Sequence, residues 1–320
     1  MTRAYLALGL VALAGLAAAQ QQNFDSVQIE TVQVRPNIHM LVGAGSNVTV
    51  HTGEDGVLVV DTQFAPMSDK ILAAVRALSD KPIRFVVNTH MHPDHIGGNE
   101  RIASAGGTRA GGNVFGDIGN AARNRAEIVA HENVLKRLSF PGTATPAPQG
   151  AWPTVTFFGD QRDMLFNGEA VQMFHQPAAH TDGDILVFFR RSDVLSTGDV
   201  FVTTTYPYID VAGGGHVNGI IAALNRIIGI AVPSNVEEGG TLIIPGHGRV
   251  TDEWEVVEYR DMVTIIRDRI QTMITRGMTI EQVKAARPTI DYDARFGADS
   301  GFWTTTMFVE TVYRNLTAKS

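Results

Sequence analysis

The sequence predicts an α/β fold made of two similar halves. Short apolar runs of strand length alternate with segments whose apolar residues recur at helical spacing. The order strands–helix–strand–helix occurs twice along the chain. No Ser/Gly-rich linker, shift in composition or sequence repeat separates the halves, so they are expected to pack as one unit.

Taken in order, strand-like runs come first, at Val27–Val34, Ile38–Val42, Val48–Val50 and Val57–Val60. Ile71, Leu72, Val75 and Leu78 then share one face of a helix. Phe85–Val87 reads as a buried strand that ends in a polar, His-rich loop. A helix is expected from Ile118 to Leu138, although Gly119 weakens its start. Phe140–Pro153, with four prolines and two glycines, is a loop long enough to lie over a site. The second set of strands is Val155–Phe158, Ala170–Phe174, Ile185–Phe189 and Val194–Ser196. A helix at Val217–Ile230 and a strand at Leu242–Ile244 follow, and helical patterns at Asp252–Thr275, Ile280–Ala286 and Phe302–Leu316 close the chain.

Composition narrows the function. With 33 acidic and 26 basic residues among 320, the formal charge is −7, so nothing here attracts a phosphate backbone and nucleic acid is not an expected partner. Hydrophobic residues at 44% and charged residues at 18% suit a chain with a sizeable core. The chain has 0 Cys, which removes disulfides, thiolate ligands and cysteine nucleophiles together. Any metal must be held by His, Asp or Glu.

Residues 1–19 read as a segment apart from the fold. Arg3 precedes an apolar run from about Leu6, and Ala17–Ala19 has the small side chains of a signal-peptidase site. The run is short for a membrane span, which takes roughly 20 apolar residues. A cleaved secretory signal at 1–19 is therefore expected, followed by one domain at 20–320 with C-terminal helices. The expected location is periplasmic or secreted, with no stable membrane association after cleavage.

The chemistry gathers at strand ends. Three of the 10 His fall within His90-Met91-His92-Pro93-Asp94-His95. In an extended segment His90 and His92 point the same way, a placement that lets two neutral imidazoles hold one Zn²⁺. Asp94 and His95 project from the turn that follows, where they could hold a second metal. Pro93 makes a regular helix through the cluster unfavourable, and Gly97-Gly98 lets the backbone pass close to the site.

This H-x-H-x-D-H run resembles the diagnostic motif of the metallo-β-lactamase superfamily, and further pieces resemble that family in the correct order. Asp61 ends a strand in Val57-Leu58-Val59-Val60-Asp61, His180 lies in Ala179-His180-Thr181, Asp199 follows Ser196-Thr197-Gly198, and His247 sits in Pro245-Gly246-His247-Gly248. The resemblance spans residues 57 to 248 and implies a four-layer αβ/βα sandwich. It also implies a site of two metals, zinc by default and iron or manganese as alternatives. His90, His92 and His180 would hold the first metal, Asp94, His95 and His247 the second, and Asp199 would bridge them, with Asp61 orienting the ligands from behind. A water shared by the metals would attack as hydroxide, and Asp94 would orient it and carry a proton.

Within that family, the absence of Cys excludes the cysteine ligand of the first β-lactamase subclass. No Lys follows Asp199 closely to anchor a β-lactam carboxylate, which leaves Arg249 or the Pro-rich loop as substitutes. Export argues against glutathione thioesters, the acidic surface against phosphodiester nucleases, and His92 against the redox branch that has Glu there. The expected activity is an exported binuclear hydrolase that opens a β-lactam, lactone or related ester of a small molecule. The alternatives are a periplasmic accessory or metal-binding protein with little turnover, and a thioester hydrolase. Of the remaining residues, His39, His51, His131 and His175 read as surface or core. Asp182 and Asp184 read as turn residues, and His216, Tyr206 and Tyr208 are candidates to border the pocket.

Overall fold

The computed structural model describes residues 23–107, 125–140, 147–236 and 239–318. The expected signal at 1–19 and the centre of the Pro-rich loop lie outside the described residues. Two β-sheets pack face to face with helices on both outer surfaces, so the chain forms the expected four-layer αβ/βα sandwich.

The first sheet runs β1 (Glu30–Arg35), β2 (Ile38–Val42), β3 (Val48–Gly53), β4 (Gly56–Val60), β5 (Ile83–Val87), β6 (Glu127–His131) and β7 (Val155–Phe157), with neighbours in that order. The β1–β4 portion is an antiparallel meander, and β4 to β7 are parallel. The second sheet has the order β12 (Leu242–Ile244), β11 (Val194–Ser196), β10 (Asp184–Phe189), β9 (Glu169–Gln176) and β8 (Gln161–Phe166). Between the sheets, Leu58, Val60, Phe85, Val87 and Val129 interdigitate with Phe166, Val171, Met173, Val187 and Phe189. The residues that alternate with the first set, such as Val57, Val59 and Val86, face outward onto α1 (Ser68–Leu78) and α3 (Asn99–Ser104). The central strands are thus apolar on both faces, the pattern of a parallel sheet covered on both sides.

The outer face of the second sheet is covered by α5 (Val217–Ile230), α6 (Glu253–Thr275), α7 (Ile280–Ala285), α8 (Asp293–Phe296) and α9 (Thr305–Thr317). Residues beyond 251 are therefore part of the sandwich, with Tyr259, Met262, Ile266, Phe308 and Val312 in one cluster with Leu186 and Leu195. No helix among the described residues is long and apolar enough to cross a membrane.

Two expectations need correction. The helix expected at 118–138 is instead a strand, β6, followed by α4 (Glu132–Ser139); residues 118–124 lie outside the described residues. Ile128, Val129 and Ala130 are all buried, and a short apolar run carries no periodicity that separates strand from helix. Strand β8 was not anticipated. It is an edge strand whose inward positions, Arg162, Met164 and Phe166, include a charged residue, which hides the alternation.

Candidate metal centre

The fold brings all eight predicted residues to one end of the sandwich. Strand β5 delivers His90 at its C-terminal end, in the loop before α2 (Pro93–Ile96). Pro93 occupies the first turn of α2, where its missing N–H costs nothing, so the chain turns into a helix directly after His92. Gly98 permits the return, because a Cβ there would sit 2.5 Å from the Thr62 carbonyl oxygen. His180 lies in the turn between β9 and β10. Asp184 holds that turn by accepting from the Thr181 N–H at 2.8 Å and hydroxyl at 2.6 Å. Burial pushes the Asp184 carboxyl up to about 8, against those hydrogen bonds. Asp199 follows β11 and His247 follows β12. Gly246 leaves no room for a side chain, since Asp199 Oδ1 occupies the place a Cβ would take.

His90 Nε2, His92 Nδ1 and His180 Nε2 face one another, 2.9 to 3.2 Å apart. The opposite nitrogen of each ring has its own partner. His92 Nε2 lies 3.0 Å from Asp210 Oδ2 and His180 Nδ1 lies 2.7 Å from the Tyr208 carbonyl oxygen, both pure acceptors. His90 Nδ1 lies 3.1 Å from the Thr89 hydroxyl, which is itself 2.7 Å from Asp61 Oδ2. The outer nitrogens therefore carry the protons, and three bare lone pairs meet inside. Three lone pairs at that separation repel unless a cation lies among them, so the donor set fits a metal.

A second set adjoins the first. Asp94 Oδ2 and Asp199 Oδ1 each lie 3.3 Å from His247 Nε2, and Asp199 Oδ1 is 3.2 Å from His95 Nε2. His95 Nδ1 is 2.8 Å from Asp61 Oδ2, which turns its Nε2 toward the carboxylates. His95 Nε2 and Asp199 Oδ1 are buried without a hydrogen-bond partner among the described residues, the condition of ligand atoms awaiting a cation. Asp199 turns its other oxygen, Oδ2, to within 3.8 Å of His180 Nε2, so its two oxygens address the two sets separately. The three groups His90/His92/His180, His90/His95/Asp199 and Asp94/His95/His247 each converge closely enough for one ion.

The electrostatics divide along the same line. Burial, then the neighbouring imidazoles, hold His90 well below 6.5, and burial brings His180 to about 4, so both stay neutral as ligands must. Burial also disfavours charge on His95 and His247, but Asp199 and Asp94, joined by Asp61 at His95, outweigh it and raise both, His247 to about 10. The carboxylates thus draw positive charge to the second set, which a bound cation would supply in place of the imidazole protons.

Asp61 has a positive φ of 61°, a left-handed backbone that is uncommon outside Gly and that Asp tolerates better than most residues. It accepts from the Thr89 N–H at 2.8 Å as well as from the Thr89 hydroxyl and His95, tying β4 to the His motif. Asp210 was missed by sequence reasoning. It lies 118 positions from His92, and no motif marks it.

The other candidates fall to either side. Tyr208 lines the cavity beside His92, whereas Tyr206 is buried, stacked on Phe308 with its hydroxyl donating to Asp293. His216 caps α5 through Asn218 N–H. Asp182 pairs with Arg137. Arg249 pairs with Glu255.

A model of the metallo-beta-lactamase superfamily matches residues 41–258. The chain belongs to that superfamily. It is similar to a linear primary-alkylsulfatase of Pseudomonas sp., 27% identical over 264 residues that cover 72% of this chain and 48% of the relative. It is also similar to a type 2 metallo-beta-lactamase of a Bacillus species, 21% identical over 68% of this chain and 72% of the relative. Among solved structures, a stereoselective inverting sec-alkylsulfatase of Pseudomonas sp. superposes with a TM-score of 0.62 at 16% identity, covering 89% of this chain and 50% of that one. The chain thus spans about half the length of the alkylsulfatases it resembles. Superfamily membership and the convergent His/Asp groups support a metal-dependent hydrolase.

Proposed function

We propose that this chain is a hydrolase with two metal ions that cleaves a lactone or related carboxylic ester of a small molecule. The observation that carries the reading is the inward convergence of bare His90, His92 and His180 nitrogens beside an equally convergent Asp94/His95/His247 set. His90, His92 and His180 would hold one ion, Asp94, His95 and His247 the other, and Asp199 both. Two such ions, zinc by default, supply Lewis acidity and activation of water when bound. The chain's own residues do the rest. Asp94 borders the cavity and is placed to orient the attacking water and take its proton. Asp61, Asp210 and the Tyr208 carbonyl keep the imidazoles in the tautomers that leave ligand nitrogens bare.

The substrate reading rests on the cavity over the site, about 680 Å³, bordered by Phe64, Val202, Thr204, Tyr208, Phe302 and Trp303. No Lys or Arg among the described residues lines it, and Arg249 is engaged by Glu255. A β-lactam carboxylate finds no cationic side chain among the described lining residues, so an uncharged lactone or ester fits better. A second reading, an alkyl sulfate ester, is favoured by the alkylsulfatase relatives and by the apolar walls. Turnover of lactones, carboxylic esters, alkyl sulfates and β-lactams by the zinc-loaded protein tests both readings. Hydrolysis of β-lactams alone overturns them. Export belongs to the same reading, and the intact mass of exported protein tests it: loss of residues 1–19 supports export, and their retention opposes it.

A further inference from the structure

The C-terminal helices cover the outer face of the second sheet, yet the segment between α8 and α9 does something else. Residues 297–304 leave the helical layer and place Ala298, Ser300, Phe302 and Trp303 on the cavity over the metal centre. Tyr208 reaches across to them. Its ring lies 5.1 Å from Phe302 and 4.8 Å from Trp303, edge-on in both cases, and 5.8 Å from the His92 ring. The three aromatic rings therefore form one continuous wall that begins at a ligand imidazole and ends at the mouth. Phe302, at that mouth, is 77% exposed. A large apolar side chain left in water beside a cavity is what a binding surface for an apolar group looks like. Its packing is not needed by the core, because the helices on either side are anchored through Phe296 and Phe308.

We infer that Phe302, Trp303 and Tyr208 form a subsite for the alkyl or aryl chain of the substrate, running outward from the bond to be cleaved. This rests on the hydrolase reading above and adds the part of the substrate that the wall selects. An apolar chain laid along the wall would bury Phe302 and place its ester head against the His92 side of the cavity. The chemistry is shared by a carboxylic ester and an alkyl sulfate with long chains, and the test separates the two.

The full chain, loaded with zinc, is assayed on 4-nitrophenyl esters with acyl chains of two, six and ten carbons and on primary alkyl sulfates of six and ten carbons. Calorimetric affinity for N-methyl alkanamides of two, six and ten carbons is measured alongside. The expected affinity rises by up to about fourfold per methylene while the chain is being buried. Turnover follows the same slope through KM more than kcat. Phe302→Ala and Trp303→Ala each flatten both slopes. Phe158→Ala, which removes an exposed ring outside the cavity, keeps them. The carboxylic and sulfate arms show which head group accompanies the chain. Affinity that stays flat from two to ten carbons, or slopes unaltered in both wall variants, overturns the subsite. Amide binding that lengthens with the chain while no ester or sulfate is turned over leaves the subsite standing and overturns the hydrolase reading instead.

Discussion

Glu169 and His51 meet across the two sheets, with Oε1 3.1 Å from Nε2 and both side chains fully buried. Glu169 opens β9 and His51 lies in β3, so the pair spans the interior of the sandwich at the end of the first hairpin. The carboxylate also accepts from the Ser192 hydroxyl and N–H, the Arg191 N–H and the Asn37 amide. Burial alone would raise its pKa, but His51 and Ser192 outweigh burial and hold it at about 2 instead of 4.5. A depressed carboxyl pKa contributes stability that is fully present above pH 4.5 and is lost as the pH falls toward 2.

Glu169→Gln is therefore expected to lose about 3 kcal/mol of stability at neutral pH, the size of a buried carboxylate's lost interactions. Urea denaturation of both proteins from pH 7 to pH 3 checks it. The gap between them should narrow below pH 4.5, because protonation removes from the wild type what the substitution has already removed. A gap that stays constant across that range would show that the charge of Glu169 contributes nothing.

Metal content is the plainest test of the centre. The purified protein should hold about two ions per chain under zinc saturation. Chelation should lower its Tm, because the cation binds only where the fold brings the ligands together. One ion or none at saturation would sink the binuclear reading, and a Tm indifferent to chelator would show that the lone pairs meet without need of a cation.

Asp94 and His92 should fail in different ways. Asp94→Asn keeps the shape and loses the charge and the proton acceptor, so kcat should fall by about 10²-fold or more with the first ion retained. His92→Ala leaves two imidazoles in the first set, and that ion should be lost. Metal analysis and kcat of both variants decide. Near-normal kcat in Asp94→Asn with unchanged metal content would remove Asp94 from the proton transfer.

Asp210 is predicted to act through His92. Asp210→Asn replaces the acceptor that fixes the His92 tautomer, and affinity for one of the two ions should drop about 10- to 100-fold. Competition with a fluorescent chelator resolves the two affinities. If both match the wild type, the 3.0 Å contact between Asp210 and His92 orients nothing.

Much of this molecule was legible in the sequence by itself. The strands that lead to the candidate site are short apolar runs followed within three residues by Asp61, His90, Asp199 and His247, and the H-x-H-x-D-H run placed four of the candidate donors within six residues. These signals are local: burial writes a period into the chain, and a motif whose donors are adjacent needs no knowledge of the rest. Partners far apart in the chain were decided only by the tertiary structure. His92 finds Asp210 and the site finds Phe302 and Trp303 because the sheets and the C-terminal helices converge at one end, and nothing local distinguishes those residues from an ordinary turn or a core aromatic. The same limit explains β6, where Ile128–Ala130 is apolar on every side. Burial on both faces erases the period, and only the neighbouring strands β5 and β7 decide that the segment is extended. Which imidazole nitrogen is bare was also a tertiary matter, since Asp61, Asp210 and the Tyr208 carbonyl each claim the opposite nitrogen, and hydrogen bonds across the fold set the proton's place.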